Sequence, residues 1–285
     1  MNAAGSPRVA FQGERDAFSE QAAINLLGEH IAPVPRPTFE SLFAAITDGA
    51  ADLILAPIEN ALSGSVHRSY DLLLGSNLVI VGEVVIPIAM YLIGPPGAQW
   101  ENVRSVESHP VALAQCERFF GAHPHIRRVV AEDTAGSVSN VVRAADASRA
   151  AIAGLRAADV YGGVILREHV EDDRANFTRF LLLSSDAKIP RGANKLSLVL
   201  RLAHQPGSLQ AALEPFAKRQ INLLRIESRP IPGHPWEYRF YLDLAASMDD
   251  AKVKNALEEL RKLGNEVRVL GCYVAAQTPG PDQTK

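Results

Sequence analysis

The chain has 285 residues, 47% of them apolar and 21% charged, with a formal net charge of −3. That length holds two domains with full cores. A charge balance so near neutral argues against nucleic acid or an anionic membrane as the main partner, since both need a concentrated basic face. From about residue 9 to 184, short apolar runs alternate with helical patterns. The segments DLILAP (52–57), NLVIVGEVVI (77–86) and RFLLLS (179–184) read as buried strands. In TFESLFAAITDG (38–49), Phe39, Leu42, Phe43 and Ile46 fall on one helical face, with Thr38 as N-cap. HPVALAQCERFFG (109–121) predicts a single helix with proline in its first turn and Gly121 at its end. Strands alternating with helices predict an α/β domain.

SSDAKIPRGAN (184–194) is polar and carries Pro190 and Gly192, which marks a linker. The pattern then resets. KLSLVLRL places Leu196, Leu198, Leu200 and Leu202 on one face of a strand. SLQAALEPFAKRQ is helical in spacing despite Pro215, which removes a donor. INLLRIES and YRFYLDL are strands, DDAKVKNALEELRKLG a helix and EVRVLGCYV a last strand. The order βαββαβ is ferredoxin-like. The polar tail from Gln277 is expected to be disordered.

Motifs for metal or nucleotide are lacking: there is no CxxC and no HExxH, and GPPG (94–97) is a turn rather than a phosphate cradle. No metal, nicotinamide or flavin is therefore expected. The opening MNAAGSPR has no apolar signal core, and no apolar run reaches the roughly 20 residues of a membrane span. The expected location is the cytoplasm, with Cys116 and Cys272 as reduced thiols.

PIENALSGSVHRSYDLL (57–73), SHPVALAQC (108–116) and NFTRF (176–180) together resemble the signature blocks of the prephenate dehydratase family. FQGERDAFSEQAA (11–23) and DTAGSV (133–138) fit the same family in order, and the C-terminal unit resembles an ACT regulatory domain through PGSL (206–209) and ESRP (227–230). The resemblance implies a two-lobed α/β catalytic domain with a cleft, like a periplasmic binding protein, over residues 8–184. A linker (185–194) and a ferredoxin-like ACT domain (195–275) would follow. Asp16 stands where the family usually has a second glycine, and Ser208 where the ACT motif more often has alanine. The blocks 64–74 and 108–117 are also similar to plant enzymes that act on arogenate, which leaves arogenate dehydratase or a dual-specificity enzyme as the alternative. A non-catalytic amino-acid sensor is a more remote one.

The family reaction converts prephenate to phenylpyruvate, CO2 and water without cofactor. Thr178 is the residue expected to assist the departing hydroxyl, since a neutral hydroxyl donates one directed hydrogen bond. Arg179 is expected to hold the pyruvyl carboxylate. Neighbours on a strand point to opposite faces, so both reach one ligand only if the strand bends. By resemblance Asn60, Ser108, Gln115 and Thr134 line the substrate pocket, with Phe18 and Ser19 also in contact. Glu59 is assigned to structure or domain coupling, because its charge would repel the substrate. His109 is as consistent with helix capping as with a pocket role. In the ACT unit Gly207, Ser208 and Leu209, at a helix start, and Glu227, Ser228, Arg229 and Pro230, on a neighbouring strand, are expected to bind L-phenylalanine as feedback effector. ACT domains usually pair side by side, so a homodimer or homotetramer is implied.

Overall fold

The computed structural model describes residues 5–277, and the expected disordered tail beyond them lies outside the described residues. The chain forms two compact units. One comprises residues 5–76 and 84–181, the other Asn77–Glu83 with Leu182–Ala276. In chain order the first carries β1 (Arg8–Gln12), α1 (Phe18–Leu27), β2 (Ala32–Arg36), α2 (Phe39–Thr47), β3 (Leu53–Asn60), β4 (Gly64–Ser65), α3 (His67–Gly75), β5 (Val79–Pro87) and β6 (Tyr91–Gly94). It continues through β7 (Ser105–Ser108), α4 (Pro110–Ala114), α5 (Glu117–Ala122), β8 (Arg127–Val130), α6 (Thr134–Ala144), β9 (Arg149–Ala153), α7 (Leu155–Tyr161), β10 (Val164–Arg167) and β11 (Phe177–Ser184). Strands β5 and β11 each run through a boundary between the units.

The first unit has two lobes. In one, β1 pairs in parallel with β2 and β3. Val9, Ala10 and Phe11 of β1 and Ile54 and Leu55 of β3 are fully buried. Continuous apolar runs of this kind suit a parallel sheet covered on both faces. β2 contains Pro33 and Pro35 and lies at the sheet edge, where a missing N–H is tolerated. Thr38 caps α2 as expected, in a reciprocal capping box with Ser41. The other lobe has the sheet order β10-β6-β9-β7-β8. Its core joins Ile93, Val138, Val141, Ala151 and Ala157 from β6, α6, β9 and α7.

The single helix expected over 109–121 is two helices, α4 and α5. The cause lies outside the segment. The Asp172 carboxylate accepts hydrogen bonds from the N–H groups of Glu117 and Arg118, both at 2.8 Å, and the Asp172 N–H donates to Gln115 O at 2.7 Å. A second helix therefore starts at 117, and Gln115 is left at the break.

The second unit carries β12 (Lys195–Arg201), α8 (Ser208–Lys218), β13 (Leu223–Ile231), β14 (His234–Leu244), α9 (Ala251–Lys262) and β15 (Glu266–Tyr273). The strands lie in the order β13-β14-β12-β15, and the antiparallel register pairs Leu196 with Leu244 and Cys272. Leu196, Leu198, Leu200 and Leu202 pack with Phe216, Leu242, Val253, Leu257 and Leu260. This is the βαββαβ arrangement expected, with Pro215 accommodated inside α8. Among the described residues no helix is long and apolar enough to cross a membrane.

Candidate active site

A cleft of about 340 Å3 lies within the first unit. Its walls include Gly13, Phe18, Ser19, Asn60, Ser63, Val66, Met90, His109, Gln115, Glu132, Thr134 and Thr178. Both lobes contribute. Among the described residues no lysine or arginine lines it. Instead α1 presents its first residues, Phe18 and Ser19, α3 its N-cap Val66, and α6 its first residue Thr134. Neither Ala17 nor Val66 supplies a side-chain cap to its helix. Helix N-termini carry partial positive charge and favour anions.

Thr178 is in the cleft wall, and its neighbour is not. Strand alternation sends Arg179 to the other face of β11, where it pairs with Glu59 at 3.2 Å. Arg179, expected to hold the pyruvyl carboxylate, is not among the residues that line this cleft. Glu59 is the structural partner in that pair. Ser108, also expected in the pocket, is not among the lining residues either. It ends β7, is fully buried, and its Oγ donates to Ile152 O at 2.6 Å, which ties β7 to β9.

Asn60 lines the cleft, but its amide is engaged. Its Oδ1 accepts from the N–H of Leu62 (3.1 Å) and of Ser63 (2.9 Å). Its Nδ2 lies 3.0 Å from Thr178 Oγ1, 2.7 Å from Asn176 Oδ1 and 3.2 Å from Phe177 O. Because the Thr178 oxygen accepts from Asn60, its own hydrogen is left to point elsewhere. Gln115 Nε2 donates to Ser63 Oγ at 3.2 Å, and its Oε1 accepts from Asn176 Nδ2 at 3.0 Å. Ser63 and Asn176 were not singled out in the sequence. The only signal was that Asn176 opens the NFTRF block.

His109 both caps and lines the cleft. Its Nδ1 accepts from the Val111 N–H at 3.2 Å. Burial lowers its pKa, with the nearby Asp133 carboxylate acting in the opposite sense. The neutral ring therefore carries its proton on Nε2. Asp133 is the N-cap of α6, accepting from Gly136 N–H. Phe18 also reaches the other lobe, since a Cβ on Gly154 would meet its ring at 3.0 Å.

A neutral hydroxyl with an amide donor on its oxygen, in a cleft edged by helix N-termini, matches the signature blocks quoted above. The family model for prephenate dehydratase matches residues 9–188, and that for the ACT domain residues 197–262. The chain belongs to the prephenate dehydratase family. As a member it is an enzyme of the lyase class. It is 42% identical over 278 residues to arogenate dehydratase/prephenate dehydratase 2, chloroplastic, of Arabidopsis thaliana, covering 93% of this chain and 72% of that one. It is 39% identical to arogenate dehydratase 1 of Petunia hybrida, covering 95% and 68%. Among solved structures, prephenate dehydratase from Arthrobacter aurescens in complex with L-Phe aligns with TM-score 0.85 and 29% identity, covering 97% and 93%. GqqA, described as a novel type of quorum quenching acylase, aligns with TM-score 0.85 and 33% identity, covering 94% and 98%.

In the ACT unit, Ser208 and Leu209 open α8 and Gly207 is its N-cap. Gly207 has φ +82°, a left-handed turn conformation that suits glycine. Glu227 to Pro230 lie in β13, with Glu227 paired to Arg225. The register sets Arg229 opposite Arg239 and Arg239 opposite Arg201, the last residue of the strand that leads to Gly207. Both segments expected to bind the effector therefore sit at the same end of the sheet.

Proposed function

We propose that the chain is a prephenate dehydratase, with catalytic residues 8–184, linker 185–194 and regulatory residues 195–275. The observation that carries this reading is the Thr178 hydroxyl, in the cleft wall with its oxygen engaged by Asn60 Nδ2. The substrate is a dianion. The ring carboxylate leaves as CO2, its electron pair moves through the ring, and the hydroxyl at the opposite carbon departs with a proton as water. One proton is consumed overall, drawn from solvent, and the Thr178 O–H is its point of delivery. A donor that strengthens as hydroxide departs stabilises the transition state more than the ground state. The carboxylates are held by helix N-termini and by neutral donors such as Gln115 and Ser63. Such groups orient a leaving carboxylate without the ground-state grip of a guanidinium.

A second reading has a specific observation behind it. Glu132 lines the cleft, and a carboxylate there complements the ammonium that arogenate carries in place of the keto group. The acylase described for GqqA has less support. Hydrolytic acyl transfer calls for an activated nucleophile, and His109, with Nδ1 engaged, offers a cleft hydroxyl no lone pair on Nε2. Regulation belongs to the same proposal. L-phenylalanine binds at the Gly207 turn and β13, supported by the ACT match and by the A. aurescens complex. A homodimer or homotetramer is supported by the edge position of β13 and by exposed Leu224, Ile226, Trp236 and Tyr238 on β13 and β14. The buried, unpaired Cys116 and Cys272 suit a reducing compartment such as the cytoplasm.

The test is turnover of prephenate and of arogenate by the purified chain, with and without L-phenylalanine. The expected result is phenylpyruvate formation that L-phenylalanine suppresses. Higher kcat/KM for arogenate, lost selectively in Glu132→Gln, would establish the second reading. Turnover of neither substrate would overturn both.

A further inference from the structure

We propose that Asn176 is a positioning residue that fixes the polarity of the Gln115 amide, so that Gln115 presents hydrogen-bond donors to the cleft. The inference rests on the dehydratase reading and deepens it. A glutamine amide can present its oxygen or its NH2 group to the same place, and the two choices are opposite for an anion. In a cleft lined, among the described residues, by no lysine or arginine, that choice bears directly on affinity.

The polarity is set by a chain of bonds that starts at the backbone. The N–H groups of Leu62 and Ser63 can only donate, so the Asn60 side chain must turn its oxygen to them. Its Nδ2 then faces Asn176, whose Oδ1 accepts at 2.7 Å. Asn176 must therefore turn its own Nδ2 to Gln115, whose Oε1 accepts at 3.0 Å. Gln115 is left with Nε2 outward, one hydrogen directed to Ser63 Oγ at 3.2 Å and the other available to a ligand. Asn176 has no freedom to break this order. It is fully buried, and its backbone carbonyl accepts from Ile88 N–H at 2.8 Å. The three amides come from separate segments, β3, the break between α4 and α5, and the approach to β11. Without Asn176 the Gln115 amide can flip and offer its oxygen to the anion.

The experiment is a double-mutant cycle on kcat/KM with prephenate, using Asn176→Ala, Gln115→Ala and the double variant, each checked for folding by its melting temperature. A hydrogen bond to a charged group supports an expected loss of about tenfold to a hundredfold for Asn176→Ala, mostly as a raised KM. Because Asn176 acts through Gln115, the double variant is expected to match Gln115→Ala. Should Asn176→Ala not fold, Asn176→Ser replaces it with the same expectations. Two outcomes overturn the inference while leaving the dehydratase intact: kcat/KM within about twofold of wild type in Asn176→Ala, or a further full loss when the substitution is added to Gln115→Ala. Failure of the wild type to turn over prephenate or arogenate is a different result, and it removes the reading together with the inference.

Discussion

Thr178 and Arg179 are adjacent in sequence and opposite in direction because β11 alternates. Thr178 faces the cleft, and its oxygen is already an acceptor, so removing the hydroxyl removes a directed donor and little else. Thr178→Ala is expected to lower kcat by about 10²- to 10⁴-fold with KM nearly unchanged, and Thr178→Ser to retain most of the rate. Steady-state kinetics on the two variants checks this, and a Thr178→Ala enzyme within a few fold of wild type would take the residue out of the mechanism. A hydroxyl donor also has no titration near neutrality. Among the described residues that line the cleft, the side chain with an ordinary pKa near neutral is His109, and burial lowers it from 6.5. Its contribution to stability is thus fully present above pH 6.5 and is lost as pH falls through the lowered value. The expected kcat profile is flat from about pH 7 to 9 and falls only on the acid side. A bell with a limb inside that window would show a titrating acid or base at work. At this scale the sequence showed which blocks matter but not which way each side chain points. Alternation already made a shared ligand for Thr178 and Arg179 awkward. Nothing local distinguished Ser108, buried on Ile152 O, from a serine in the pocket.

Long-range partners decided the elements that local pattern could not. The βαββαβ unit was readable because its leucines repeat with the period of a strand and α9 carries its own cap, Asp250. The break between α4 and α5 was not, because Asp172, the group that caps α5, lies 55 residues from Glu117. The loop before α1 holds a similar case. Asp16 has φ +65° and is buried, and its carboxylate receives Arg156 Nε of α7 at 2.9 Å, which links the two lobes beside Phe18. Glu20 supports the turn by accepting the Asp16 N–H and the Arg15 guanidinium. A left-handed conformation costs a non-glycine residue about 1–2 kcal/mol, so substitutions at 16 separate backbone from charge. Asp16→Gly is expected to relieve the backbone and lose only the pair, whereas Asp16→Ala loses the pair and keeps the cost. Chemical denaturation should find Asp16→Ala less stable than Asp16→Gly by about 1 kcal/mol. If the pair holds the lobes for substrate, both variants raise KM. A KM unchanged in both would limit the Asp16–Arg156 pair to structure.

In the whole molecule, the NLVIVGEVVI strand reads as one uninterrupted run, and no composition change marks the point where it passes from one unit to the other. Its first residues belong with the C-terminal unit. Ile80 pairs with Gly271 of β15, and Lys195 Nζ holds Glu83 at 2.7 Å, both side chains buried. A second buried chain braces the lysine's strand: Ser197 Oγ donates to Asp243 at 2.5 Å and meets Tyr273 OH at 2.7 Å. Beyond Glu83 the same strand continues into the catalytic unit, and Ile88 and Met90 just after it line the cleft. Strand β5 is therefore a covalent path from the unit proposed to take the effector to the wall of the candidate site. Allostery requires the effector to favour one of two states, so a variant that disconnects the path should keep binding and lose response. Gly271 is the place to cut it, because a Cβ there would overlap the Ile80 carbonyl oxygen and force β15 off β5. Gly271→Ala is expected to bind L-phenylalanine by calorimetry with an affinity near wild type, to keep basal kcat within a few fold, and to lose most of its inhibition. Lys195→Met, which leaves Glu83 buried without its cation, is the harsher cut and should cost about 3–5 kcal/mol of stability as well. A Gly271→Ala enzyme that folds, binds and is inhibited like wild type would mean that the signal reaches the cleft by another route.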